Sequence, residues 1–175
     1  MANKNKTKGN ANEREFCKIF GEIFEQPFQR VPNSGGMRGG LNNARSKNLS
    51  DNQKQLLEND IIPPDCFPKL AIEVKSRNEF NFHHFFRQEG VNELNKWIEQ
   101  VEESGIDIHE RFPIIAFKPN RCGWFMVMWG EHVSDFDFSD TNSVNYIFDC
   151  RRFKVVDMIE FATKNRKYLE DKFKI

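Results

Sequence analysis

The sequence predicts a mixed α/β fold, a central β-sheet flanked by helices, and three observations carry that prediction. Apolar residues recur at helical spacing over 11–24, 91–104 and 155–173. Between these stretches lie short alternating or wholly apolar runs bounded by Pro, Gly and Asn, which suit strands. The resulting order, α-β-β-β-α-β-β-α, disfavours all-α and all-β architectures. With 175 residues and 38% hydrophobic content, the chain is long enough for one domain with a proper core and short for two.

Residues 1–10 are polar, carry Lys4, Lys6 and Lys8, and show no apolar pattern. A flexible basic arm is expected there, followed by a single domain over 11–175. In the first helix, Phe16, Cys17, Ile19, Phe20, Ile23 and Phe24 form one stripe, Glu13, Arg14, Lys18 and Glu22 lie mostly on another face, and Asn10 or Asn12 can cap it. Residues 28–31 alternate like a short strand, and 32–50, rich in Gly, Asn, Ser and Arg, read as a flexible loop. Two strands at 59–62 and 70–75 are joined by 63–69, whose prolines stop the first strand, so an antiparallel hairpin follows. Val91, Leu94, Trp97, Ile98 and Val101 stripe the middle helix, and Gly105 ends it. Runs 113–117 and 123–129 are dense enough in apolar residues for buried strands; 130–144 is polar and irregular; 155–173 reads as a closing helix.

Composition excludes several function classes. No apolar run approaches the roughly 20 residues of a membrane helix, and 1–12 hold no hydrophobic signal stretch, so a soluble, cytoplasmic protein is expected. Cys17, Cys66, Cys122 and Cys150 stand 49, 56 and 28 positions apart, without a Cys-x-x-Cys pair, and are expected as free buried thiols rather than zinc ligands. The Ser34 to Gly40 stretch lacks the Lys-Ser/Thr ending of a phosphate loop, so no nucleotide cofactor is expected. His83 and His84 are adjacent, point in different directions on any regular element, and have no ligand cluster beside them. Lys+Arg and Asp+Glu balance at 26 each, yet residues 1–54 carry ten basic and five acidic groups, 89–139 four and ten, and 151–175 eight and four. That asymmetry fits either solvated faces or a nucleic-acid groove formed by basic ends around an acidic site.

The chemistry concentrates in the hairpin. In the run from Ala71 to Ser76, a period of two puts Glu73 and Lys75 on one face and Ile72 and Val74 on the other. Strand pairing around the Pro-rich loop brings Asp60 near the row of Glu73. Two carboxylates at that spacing suit Mg²⁺, which takes one or two such ligands and keeps several waters, and a neighbouring lysine can act on a metal-bound water or on phosphate charge. Metal-assisted phosphodiester hydrolysis is the chemistry suggested.

Asp60 followed, after a hairpin, by Ile72-Glu73-Val74-Lys75 resembles the PD-(D/E)xK nuclease superfamily. Gly9-x-x-x-Glu13-Arg14-Glu15, the Arg30 to Gly36 segment, and Asp60-Ile61-Ile62-Pro63-Pro64 ahead of Phe67-Pro68 look most like its Holliday junction resolvase branch, archaeal and phage type; the likeness spans about residues 9–129. The resemblance implies a restriction-endonuclease-like core. It implies Asp60, Glu73 and the Val74 carbonyl as metal ligands, Lys75 as the catalytic lysine, and Glu13 as a helix-borne acid completing the site. Arg14, Arg30, Ser34, Arg38 and Lys8 would contact DNA, and Gln100, in Trp97-Ile98-Glu99-Gln100, looks like the glutamine of related phage enzymes. Asn59 stands where that family usually has Gly, and Asp65, directly after Pro64, competes with Asp60 for the metal. The implied activity is that of a Mg²⁺-dependent DNA endonuclease, Mn²⁺ substituting, that resolves four-way junctions in DNA recombination in a bacterial or phage-infected cell. A restriction-like or repair nuclease on duplex or flap DNA, and a non-catalytic DNA-binding module, are the alternatives. Symmetric resolution needs two active sites, so a homodimer is expected, with 80–86 as the candidate interface.

Overall fold

The computed structural model of the chain describes residues 4–32, 59–86, 91–104, 106–134, 136, 138–139 and 141–174, with the side chains of 4–8 and of Phe86 excepted. In order, the elements are α1 (Lys4–Phe24), β1 (Gln29–Arg30), β2 (Ile61–Ile62), β3 (Leu70–Arg77), α2 (His83–Phe86), α3 (Asn92–Glu103), β4 (Phe112–Pro119), β5 (Phe125–Trp129), α4 (Gly130–Val133), β6 (Ser143–Phe148), β7 (Arg151–Asp157), α5 (Met158–Lys164) and α6 (Arg166–Phe173). Seven strands form one mixed sheet in the order β1-β2-β3-β4-β5-β7-β6. Among the described strands only β3 and β4 run parallel, from Leu70↔Phe112 to Arg77↔Pro119, and the connection between them carries α3 across the sheet. This is the α/β, restriction-endonuclease-like arrangement that the sequence predicts.

Each face of the sheet has its own core. On one, Phe16, Phe20 and Phe24 of α1 meet Leu70, Ile72, Met126, Met128 and, from α5 and α6, Phe161, Leu169 and Phe173. The aromatic rings interlock, with Phe24 5.7 Å from both Phe67 and Phe173. On the other face, Leu94, Trp97, Ile98 and Val101 of α3 cover Ile115, Phe117, Val127 and Trp129. Alternation along β4 and β5 feeds both cores at once, which is why these two runs read as almost continuously apolar.

Three expectations about the elements need correction. Helix α1 begins at Lys4, inside the stretch expected to be a loose arm: lysines are good helix formers, and extending an anchored helix costs little. The single closing helix is a strand followed by two shorter helices. Val155 and Val156 face opposite cores as part of β7, and the Asp157 carboxylate caps α5 by accepting from the Glu160 N–H at 3.0 Å. Ahead of it, β6 starts within the region read as irregular, and pairs with β7 through a turn in which Asp149 and Cys150 have φ of 48° and 62°. Such a turn twists like the strands it joins, normally with Asn-Gly in it, so the pattern gave no hairpin signal here.

The cysteines are free, but only Cys17 is half-buried; Cys66, Cys122 and Cys150 are exposed in the hairpin connections. The phenylalanines of 80–85 likewise turn inward rather than forming an outward patch. Phe80 lies 4.8 Å from Phe117, Phe82 4.9 Å from Phe125, and Phe85 5.5 Å from Tyr146.

Candidate active site

The site is built where the short edge strands meet β3. One step from the Ile61–Ile72 pair, the Asp60 backbone N–H donates to the Ile72 carbonyl at 3.1 Å, and Val31 donates to the Asp60 carbonyl at 2.9 Å. The Asp60 side chain is fastened in turn, its Oδ2 accepting from the Val74 N–H at 2.9 Å. Asp60 therefore touches the strand segment that carries Glu73 and Lys75. Asp65 lies elsewhere: exposed in the Pro-rich turn, it lines a groove of about 510 Å³ with Gln26, Gln29, Pro64 and Cys66.

Glu73 and Lys75 project on the α3 side of β3. Lys75 Nζ donates at 2.9 Å to Glu73 Oε2 and at 2.9 Å to Gln100 Oε1, which reaches in from α3. The lysine and glutamate side chains are 15% and 10% exposed, so this pair is largely withdrawn from water. A pair so placed is held by geometry more firmly than an exposed one, because solvent screens it less.

Glu13 stands on α1, 8% exposed. Arg30 Nε donates to its Oε2, and Arg30 Nη2 donates to Asn10 Oδ1 at 2.9 Å. Burial pushes the Glu13 carboxyl above the ordinary carboxylate range, the nearby Asp60 charge adds to the rise, and Arg30 opposes it. Arg30 is thus turned inward as the partner of Glu13 rather than outward as a free phosphate contact. Arg14 is exposed on α1. Ser34 and Arg38 lie outside the described residues, as does the Lys8 side chain.

Among the described residues, no three His, Cys, Asp or Glu side chains come close enough together to hold a metal ion. The donors this hairpin offers are oxygens: the Asp60 carboxylate, held on the Val74 N–H, the Glu73 carboxylate one residue earlier in the strand, and the Val74 carbonyl. That donor set fits a hard divalent cation that keeps most of its water, and does not fit a zinc site. His83 and His84 stack edge to face at 4.4 Å on α2, and among the described residues no acid or thiol completes a ligand set with them.

Two features escaped the sequence reading. Lys118, on the end of β4, donates to both oxygens of Glu15 at 2.6 and 2.7 Å, and Trp124 Nε1 donates to Glu15 Oε1 at 3.2 Å. Burial raises the Glu15 carboxyl, but these bonds outweigh it and leave the group below its usual range. The second is Arg77, whose guanidinium lies over the Trp97 ring at 5.4 Å. Its signal was available, since 73, 75 and 77 share one face of a strand.

No helix among the described residues is long and apolar enough to cross a membrane. No curated protein and no solved structure matches the chain. A family model does match, that of the "Phage putative PDDEXK endonuclease", over residues 4–170. The match takes in both α1 and the Asp60-Glu73-Lys75 hairpin, and the superfamily it names uses divalent metal ions for phosphodiester cleavage. By fold and by this match, the chain belongs to the phage PDDEXK endonuclease family and is a nuclease.

Proposed function

We propose that the protein is a Mg²⁺-dependent DNA endonuclease that resolves four-way junctions as a homodimer. The observation that carries the cleavage site is the fastening of Asp60 to the Val74 N–H beside a Lys75 that bridges Glu73 and Gln100. Asp60, Glu73 and the Val74 carbonyl would hold the ion, which supplies a polarised phosphate oxygen and an acidified water when bound. An ammonium has three donors, and Glu73 and Gln100 take two of those of Lys75. The third can meet the scissile phosphate or the attacking water and offset charge that develops in the transition state. Gln100 fixes the direction of that donor, and Glu13 is the acid behind Asp60, with Arg30 setting its position. The junction substrate is supported by the likeness of the Glu13, Arg30–Gly36 and Asp60–Pro64 segments to resolvases, and the dimer by the single site in each chain.

The test is cleavage of four-way junction, flap, duplex and single-stranded DNA by the full chain, with Mg²⁺ and with EDTA. Junction cutting on both strands, abolished by EDTA and by Asp60→Asn but retained in Asp65→Asn, is expected. Preference for flap or duplex would replace the resolvase reading by a repair or restriction-like one; cleavage that needs Asp65 and survives loss of Asp60 would move the metal ligand. Light scattering at micromolar concentration should give twice 20.7 kDa, and a monomer would refute the dimer.

A further inference from the structure

On the face of β3 that carries Glu73 and Lys75, the next residue is Arg77, two positions or roughly 6.6 Å further along the strand. That side chain is exposed, yet it is not loose. Its guanidinium lies over the ring of Trp97 at 5.4 Å, and Trp97 is 3% exposed and backed by Phe80 at 5.9 Å and Phe117 at 5.5 Å. Trp97 lies one turn before Gln100 on α3, so the platform under Arg77 and the acceptor that aims Lys75 belong to the same helix. The strand end is braced too: the Asn120 N–H donates to the Arg77 carbonyl at 3.2 Å.

Three other cations near the site are engaged by acids, Arg30 by Glu13, Lys75 by Glu73 and Lys118 by Glu15. Among the described residues Arg77 pairs with no carboxylate, and the one hydrogen bond of its guanidinium is from Nη1 to the Ser76 carbonyl at 3.3 Å. A cation held over an indole face by cation–π attraction loses less freedom on binding than a free one, and its remaining N–H groups form a fork that matches two phosphate oxygens. Its spacing from Lys75 is of the order of that between neighbouring phosphates on one strand.

We propose that Arg77, held over Trp97, clamps the backbone phosphate next to the one hydrolysed at Lys75. This rests on the reading of Asp60, Glu73 and Lys75 as the cleavage site, and it assigns a separate residue to holding the strand in register with that site.

The full chain and its Arg77→Ala and Arg77→Lys variants are titrated, in EDTA, against fluorescent DNA that the wild type cuts at a mapped position, over a range of NaCl. For Arg77→Ala we expect affinity weakened on the order of tenfold and the slope of log affinity against log salt reduced by about one, as for loss of one phosphate contact. Arg77→Lys should keep the slope and lose part of the affinity. A neutral methylphosphonate at the phosphate beside the cut should weaken the wild type to the level of Arg77→Ala and weaken that variant no further. An Arg77→Ala protein with the wild-type slope, or one whose only change is a lower melting temperature, would overturn the clamp, leaving the contact as a cover for Trp97. So would methylphosphonate and Arg77→Ala effects that add independently. Wild-type cleavage unaffected by Lys75→Ala would sink the cleavage-site reading instead, a result the binding titration cannot imitate.

Discussion

Strand β3 has two faces with opposite tasks. Leu70, Ile72 and Val74 continue the apolar floor under α1. Glu73, Lys75 and Arg77, interleaved with them, set a carboxylate, an ammonium and a guanidinium in a row beneath α3. Substitutions on the first face should act on stability and those on the second on chemistry, although neighbours in sequence are involved. A strand pinned on one side by close packing is a rigid mount for groups on the other, and a site of this kind needs its groups held to within a fraction of an ångström.

The sharpest way to break that division is on the polar face. Lys75→Ala or Glu73→Ala should lower cleavage by on the order of 100-fold or more, with folding and DNA binding retained, as measured by single-turnover cleavage beside filter binding. Loss of folding in either variant would show that the polar row also holds the sheet together. On the apolar face, Ile72→Ala should cost about 2–4 kcal/mol of stability in denaturant titrations while leaving the single-turnover rate of the folded fraction near wild type. A rate loss as large as that of Lys75→Ala would mean that the two faces are not separable.

Smaller effects test the supports. Gln100→Ala should slow cleavage by roughly tenfold, less than loss of Lys75, because the ammonium keeps Glu73 and loses only its second acceptor. On α1, Glu13 and Glu15 give a pair of opposite signs. The Glu13 carboxyl is raised in the folded state, chiefly by burial, so its contribution is present at low pH and is lost as pH rises through the raised value. Glu15 is lowered, so its contribution is present above the ordinary carboxylate value and is lost as pH falls through the lowered one. Relative to wild type, Glu13→Gln should therefore gain stability from acid to neutral pH and Glu15→Gln should lose it. Melting temperatures followed across the carboxylate range will show whether the slopes are opposed. The last effect is chemical: burial, with the Glu13 charge, pushes the Cys17 thiol up to about 11, so at mild alkaline pH a disulfide reagent should label Cys66, Cys122 and Cys150 quickly and Cys17 slowly.

What could be read from the sequence was what is local. The 70–77 alternation, the Pro-rich hairpin and the meeting of Asp60 with the Glu73 segment all depend on residues close in the chain. The Gln100 contact spans 25 positions, and only the family likeness pointed to it. The Arg30–Glu13 pair was out of reach, because it depends on how α1 is laid against β1, which no period in either segment states. The β6–β7 hairpin was missed for a different reason. Its outer strand is half-exposed, with Ile147 69% accessible, and its turn uses Asp149 and Cys150 in place of the glycine that normally marks such a bend.

Phe173 of α6 touches Phe24, Phe67 and Phe112, residues drawn from α1, the Pro-rich turn and β4. During synthesis the helix that bears Glu13, the acid proposed behind Asp60, emerges long before the ring that locks it down. Until α6 has left the ribosome, α1 lacks a wall of its core, and long-range contacts of this kind close late. The Glu13–Arg30 pair and the Asp60 hairpin beneath it are then unsupported. Cutting activity should accordingly arise only when α6 has docked, so that a nascent or truncated chain is held inert by its order of assembly.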